Sequence, residues 1–212
     1  MAPHIKICGI TAGDALDAAI AGRADHVGFV FYPPSPRNLS FDDARSLGRR
    51  AANHVGRVGL FVDPDDALLA QAVDAGALTA IQLHGGETPA RSAQVRARFG
   101  LPVWKVLPVA STSDVARAAG YRDAADLILF DAKTPKGALP GGMGLKFDWA
   151  LVASHRGPLP WGLAGGLTPD NVAEALRITG APLVDTSSGV ESAPGVKDSD
   201  KIAAFCRAAR GG

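Results

Sequence analysis

Leu127-Ile128-Leu129-Phe130-Asp131 is a run of four apolar residues that ends on a carboxylate. It shows no polar alternation. A strand covered on both faces reads this way, and such strands belong to parallel sheets. Seven further runs are dominated by Val, Ile, Leu and Phe with little polar alternation: Ile5–Cys8, His26–Phe31, Gly56–Val62, Ala80–Leu83, Val103–Val106, Trp161–Ala164 and Leu183–Thr186. Helical patterns lie between and after them, over Asp14–Ala21, Phe41–Ala52, Pro64–Ala75, Pro89–Phe99, Ser113–Ala119, Asp148–Ser154, Pro169–Thr179 and Ser199–Ala209. Ser40, Asp63 and Thr168 stand where helices should start, and Gly76, Gly100 and Gly180 where they should stop. Eight strand-then-helix units in 212 residues average about 26 residues each. That period predicts a single α/β domain over residues 1–212, a (β/α)8 TIM barrel. An open doubly wound sheet of this length would have fewer strands.

The bulk composition narrows the function. Against 22 Lys and Arg stand 21 Asp and Glu, a formal net charge of +1, with no basic block. No nucleic-acid partner is expected from such a surface. The two cysteines, Cys8 and Cys206, are too few for a disulfide framework or a cysteine-rich zinc site. No apolar run reaches the roughly 18 residues of a membrane span, and strand pattern begins by residue 4 with no leader-like segment. The expectation is a cytoplasmic protein with no membrane partner. His4, His26, His54 and His155 have no metal-like spacing, so no metal is expected.

A barrel builds its active site from the C-terminal ends of its strands. Cys8 ends the first strand and precedes Gly9. It is either a small core residue or, as thiolate, a general base. Asp131 ends the sixth strand, where Lys133 or Lys136 could pair with it. A carboxyl group closed off from water can serve as a proton donor near neutrality. Arg37 closes the proline-stiffened loop Tyr32-Pro33-Pro34-Ser35-Pro36-Arg37, and its guanidinium fork suits a carboxylate. Gly165 and Gly166 follow the seventh strand, and Ser187, Ser188 and Gly189 follow the eighth. Loops at those two places form the usual phosphate cradle of this barrel. His84, ending the fourth strand, and Asp185, within the eighth, are pocket-lining candidates. The connection Ala132–Lys146 carries Gly137, Gly141, Gly142 and Gly144 and has the length of a functional lid.

These motifs, in this order, resemble the phosphoribosylanthranilate isomerase family of tryptophan biosynthesis. The resemblance rests on KICGIT at 6–11, GFVFYPPSPR at 28–37, VGLFVD at 58–63 and IQLHG at 81–85. It continues with LFDAKTP at 129–135, FDW at 147–149, AGGLTPDNV at 164–172, VDTSSGVES at 184–192 and PGVKD at 194–198. The family implies a barrel, no cofactor, a small phosphoribosyl substrate, a monomer or homodimer, and an Amadori rearrangement. In it N-(5-phosphoribosyl)anthranilate becomes 1-(2-carboxyphenylamino)-1-deoxyribulose 5-phosphate. By the same resemblance Cys8 is the general base, Asp131 the general acid and Arg37 the group that holds the anthranilate carboxylate. The phosphate would sit on N–H groups around Gly166, Ser188 and Gly189. One stretch departs from the pattern. Gly141-Gly142-Met143-Gly144-Leu145 stands where the family often reads GGTG or GGSG, so Met143 replaces a hydroxyl. That bears on lid contacts and not on the reaction.

Two rival readings remain at this level. A histidine-pathway isomerase performs the same rearrangement but uses an aspartate as first-strand base, where this chain has Cys8. A non-catalytic sensor of a phosphate ligand would need no acid–base pair.

Overall fold

The computed structural model describes residues 2–133, 144–145 and 147–211. Eight parallel strands close into a barrel in chain order. They are β1 (His4–Cys8), β2 (His26–Val30), β3 (Gly56–Phe61), β4 (Ala80–Leu83), β5 (Val103–Val109), β6 (Leu127–Ala132), β7 (Trp161–Leu163) and β8 (Leu183–Thr186). The ring closes where β1 pairs with β8, with Lys6 opposite Asp185. The helices are α1 (Gly13–Ala21), α2 (Phe41–Ala51), α3 (Asp66–Gly76), α4 (Pro89–Phe99), α5 (Thr112–Ala116), α6 (Ala150–Ala153), α7 (Val172–Thr179) and α8 (Ser199–Ala209). After β8 comes a feature the sequence pattern did not predict, a small antiparallel hairpin of β9 (Glu191–Ala193) and β10 (Val196–Lys197). No helix among the described residues is long and apolar enough to cross a membrane.

The unbroken apolar runs are explained by where alternate residues go. In β1, Ile5 and Ile7 join the large cluster that includes Leu16 of α1 and Phe205 of α8. In β6, Ile128 and Phe130 join the same cluster. The intervening residues turn into the barrel. Leu129 packs there with Val58, Trp104 and Leu183, and Cys8 packs with Val30 and Leu60. Side chains alternate along a strand, so both faces must be apolar when helices cover one and the barrel centre fills the other. At the strand tips the inward positions change character, to Cys8 and Asp131. These meet a pocket instead of packed hydrocarbon.

Several helix ends differ from the sequence expectation, α5 ending at Ala116 and α6 spanning only Ala150–Ala153, and three of the differences concern the expected start and stop residues. α3 starts at Asp66, because Asp65 is the N-cap and accepts a hydrogen bond from Leu68 N at 2.8 Å. Asp63 is used differently: it takes a left-handed φ of 47° and accepts from Gly86 N. α7 starts at Val172 because Thr168-Pro169-Asp170 forms a turn, held by Asn171 accepting from Thr168 N at 2.8 Å. α3 includes Gly76, and Ala77 takes the left-handed position instead. Gly100 and Gly180 do end α4 and α7 in that conformation. Of the long connection, 134–143 and 146 lie outside the described residues, and with them Lys136, Gly137, Gly141, Gly142 and Met143. The lid expectation therefore falls largely outside what is described.

One buried ion pair sits on the outer side of the barrel. Lys105 Nζ donates to Glu87 Oε2 at 2.6 Å and to the carbonyls of Gly85 and Leu83 at 2.7 and 3.2 Å. Glu87 also accepts from Asp63 N at 2.8 Å and from Gly85 N at 2.9 Å. The network ties the loops after β3 and β4 to β5. Glu87→Gln is expected to lower stability by about 3–5 kcal/mol, because Lys105 would be left buried without its counter-charge. Urea unfolding measures this, and an unchanged midpoint would show that the pair is not needed.

Candidate active site

A pocket opens at the C-terminal ends of the strands. Its wall includes every candidate named from the sequence: Cys8, Arg37, His84, Asp131, Gly165, Gly166, Asp185, Ser187, Ser188 and Gly189. Gly144 and Leu145, at the end of the long connection, also reach it.

Cys8 points inward from the last position of β1 and is 5% exposed. Its β2 partner is Gly28, where a Cβ would lie 2.7 Å from the Cys8 sulfur, so only glycine leaves the thiol its place. Below Cys8 on the same face is Lys6, with a side chain closed to solvent. Lys6 Nζ donates to both carboxylate oxygens of Asp185, at 3.0 and 2.9 Å. Burial pushes the Cys8 thiol above its ordinary range, while the Lys6 ammonium, and less strongly Lys197, favour the thiolate. Burial works against the charge on Lys6 too, yet Asp185 and Cys8 together hold its ammonium above the usual value. Asp185 is raised by burial, and Lys6 opposes that shift. The base candidate is thus a thiol with a fixed cation beneath it. The sequence reading passed over Lys6, although two residues before Cys8 in a strand means the same face. Asp185 does reach the pocket, as expected, but its carboxylate is committed to Lys6.

Asp131 is the inward residue near the end of β6, 6% exposed. Oδ1 accepts from Ala132 N at 2.7 Å, and His84 Nε2 lies 3.2 Å from Oδ2. Among the described residues His84 is therefore its partner, in place of Lys133, and Lys136 lies outside them. The Lys133 ammonium sits on the outer side, 4.0 Å from Asp114 Oδ1. His84 Nδ1 is buried with no hydrogen-bond partner among the described residues. Gly165 passes close to Asp131 at a left-handed φ of 86°. A Cβ there would meet Ala132 N at 2.6 Å and Asp131 Oδ1 at 2.9 Å.

Gly165, Gly166 and the loop after β8 form the opposite wall. Neither glycine N–H finds an acceptor among the described residues. Thr186 Oγ1 donates to Leu167 O at 2.7 Å, and Gly189 is so close to that carbonyl that a side chain has no room. The two loops are pinned together with backbone N–H groups at the pocket, an arrangement that suits an anion. On the remaining side Arg37 is held by Glu191, Nε to Oε1 at 2.7 Å and Nη2 to Oε2 at 2.8 Å. Glu191 and Lys197 were not identified as site residues from the sequence. The hairpin that carries them has no periodic signature.

A thiol over a cation, a carboxyl group beside an imidazole, an arginine and an anion cradle share one pocket. A model of the N-(5'-phosphoribosyl)anthranilate isomerase family matches residues 5–208 of the chain. The chain belongs to that family. N-(5'-Phosphoribosyl)anthranilate isomerase of Paramagnetospirillum magneticum is 57% identical over 213 aligned positions, covering 100% of this chain and 99% of the relative. The enzyme of that name from Rhodopseudomonas palustris (strain HaA2) is 53% identical, covering 99% and 97%. The crystal structure of phosphoribosyl anthranilate isomerase from Thermotoga maritima superposes with a TM-score of 0.89 at 38% identity, over 99% of both chains. A further phosphoribosyl anthranilate isomerase structure, in complex with reduced 1-(o-carboxyphenylamino)-1-deoxyribulose 5-phosphate, superposes at 0.86 with 36% identity, again over 99% of both chains. The isomerase relatives thus share the whole barrel and not one motif of it.

Proposed function

We propose that the chain catalyses the Amadori rearrangement of N-(5'-phosphoribosyl)anthranilate in tryptophan biosynthesis, the reaction of the family it belongs to. The observation that carries the reading is that Cys8 and Asp131 border one pocket, with Arg37 on one side and the Gly165–Gly166 and Ser187–Gly189 loops on another. Asp131 gives its proton to the ribose ring oxygen. The bond from C1′ to that oxygen breaks, and the nitrogen lone pair makes the C1′–N double bond of a Schiff base. Cys8, as thiolate, takes the proton from C2′. The electrons of that C–H bond form the C1′–C2′ double bond of an enolamine, which tautomerises to the 2′-ketone. One group must begin protonated and the other deprotonated. Lys6 lies against the thiol, whereas Asp131 faces His84 and a backbone N–H. Arg37 holds the anthranilate carboxylate. Gly166, Ser188 and Gly189 receive the phosphate, Gly165 and Ser187 shape that cradle, and His84 and Asp185 orient the acid and the cation.

The test follows substrate fluorescence. Substrate is made in place from anthranilate and phosphoribosyl diphosphate by the preceding transferase, and its loss is recorded with and without the protein. Protein-dependent loss with the rearranged ketose as product is expected. Folded protein that gives no acceleration over the spontaneous background would overturn the reading.

A further inference from the structure

The hairpin of β9 and β10 lies beyond the barrel strands but sends two charged side chains back into the pocket wall. Glu191, its first residue, accepts both bonds from Arg37 described above. Lys197, its last, donates to the same Glu191 Oε1 at 2.7 Å and also to Ser187 O at 2.9 Å and Ser187 Oγ at 3.2 Å. The side chains of Glu191 and Lys197 are 5% and 1% exposed. Burial acts to raise the Glu191 carboxyl, but the two cations outweigh it and hold it below its usual range. The hairpin is itself anchored. Thr11 Oγ1 donates to Gly195 O at 3.2 Å, and Lys201 Nζ donates to Glu191 O at 2.7 Å. Gly195, at a φ of 81°, lies so near Pro36 O that a Cβ would come within 2.5 Å of it.

We infer that Glu191 is the positioning residue for Arg37, and that Lys197 makes this arrangement compatible with anion binding. Two parallel N–H···O bonds fix the plane of a guanidinium, which a single contact does not. A carboxylate beside an anion-binding arginine also repels the anion. Lys197 removes that objection: two cations share one carboxylate, so the cluster keeps one net positive charge in a closed space. The hairpin thereby aims the arginine without neutralising it, and through Ser187 it ties the arginine to the loop after β8. The inference rests on the reading that Arg37 holds the carboxylate of the substrate ring.

The test compares two substrates, the anthranilate glycosylamine and its aniline counterpart, which lacks the ring carboxylate and forms from aniline and ribose 5-phosphate. Glu191→Gln is expected to lower kcat/KM about tenfold or more for the first, mainly through KM, and to change the second by less than about twofold. An equal loss on both substrates, or no loss on either, would overturn the inference. Arg37→Lys, read the same way, separates the two levels. An equal penalty on both substrates there would mean that Arg37 does not hold the carboxylate. Discrimination by Arg37→Lys without discrimination by Glu191→Gln would sink the positioning role alone. If Glu191→Gln does not fold, Glu191→Asp keeps the charge but cannot reach both nitrogens, and the same ratio decides. If neither folds, Glu191 is a structural tie and the inference fails.

Discussion

Cys8→Ala is expected to reduce kcat by a factor of about 100 to 10,000, the range supplied by a positioned general base. Nothing else on the inner face of β1 can replace it. Lys6, two residues earlier, is held by Asp185 and carries a proton it does not readily give up. Binding should survive, because Arg37 and the loops after β7 and β8 come from other elements. The loss should therefore fall on turnover, with affinity for a non-reactive reduced product analogue changed no more than a few-fold. Cys8→Ser tests the same point without leaving a gap, since a hydroxyl has nearly the shape but is a far weaker base. Turnover within a factor of about three of wild type in either variant would remove Cys8 as the base.

Asp131→Asn should cost kcat a similar factor, about 100 to 10,000, for the opposite reason. The amide keeps the size of the side chain and can still accept from Ala132 N. It cannot deliver a proton to the ring oxygen, so ring opening should become the slow step. Thermal unfolding is the control, because an isosteric change that preserves the backbone contact should leave the melting temperature nearly unchanged. More than about a tenth of wild-type kcat in this variant would dismiss Asp131 and direct attention to His84, whose Nε2 lies 3.2 Å away.

The barrel was legible because its strands obey a simple rule. Runs such as Leu127–Phe130 are apolar on both faces, and at the tips of β1 and β6 Cys8 and Asp131 leave the packed interior for the pocket. Chemistry that interrupts a regular pattern can be seen in one dimension. The partners of those residues were harder to see. His84 meets Asp131 across the barrel mouth, and Glu191 meets Arg37 from a hairpin far along the chain. Such pairings depend on how the ring closes, and no local spacing encodes them. Lys6 is an intermediate case. Its place on the inward face of β1 follows from Cys8, but a fully buried lysine becomes intelligible only once Asp185 is opposite it. The helix starts moved for a related reason, since Asp63 accepts from Gly86 N and Thr168 donates its backbone N–H to the Asn171 side chain, so both shape loops rather than cap.

The seam between β1 and β8 also sets a schedule for biosynthesis. Cys8 and Lys6 leave the ribosome well before Asp185, Glu191 and Lys197. Until β8 has been made, Lys6 has no counter-ion, and a half-translated chain must shelter a bare ammonium and a thiol destined for its interior. The N-terminal strands can collapse together beforehand, since β1 to β4 pair in sequence, but the ring cannot shut. Catalytic competence should therefore appear abruptly once β8 has emerged, with the pairing that completes the ring.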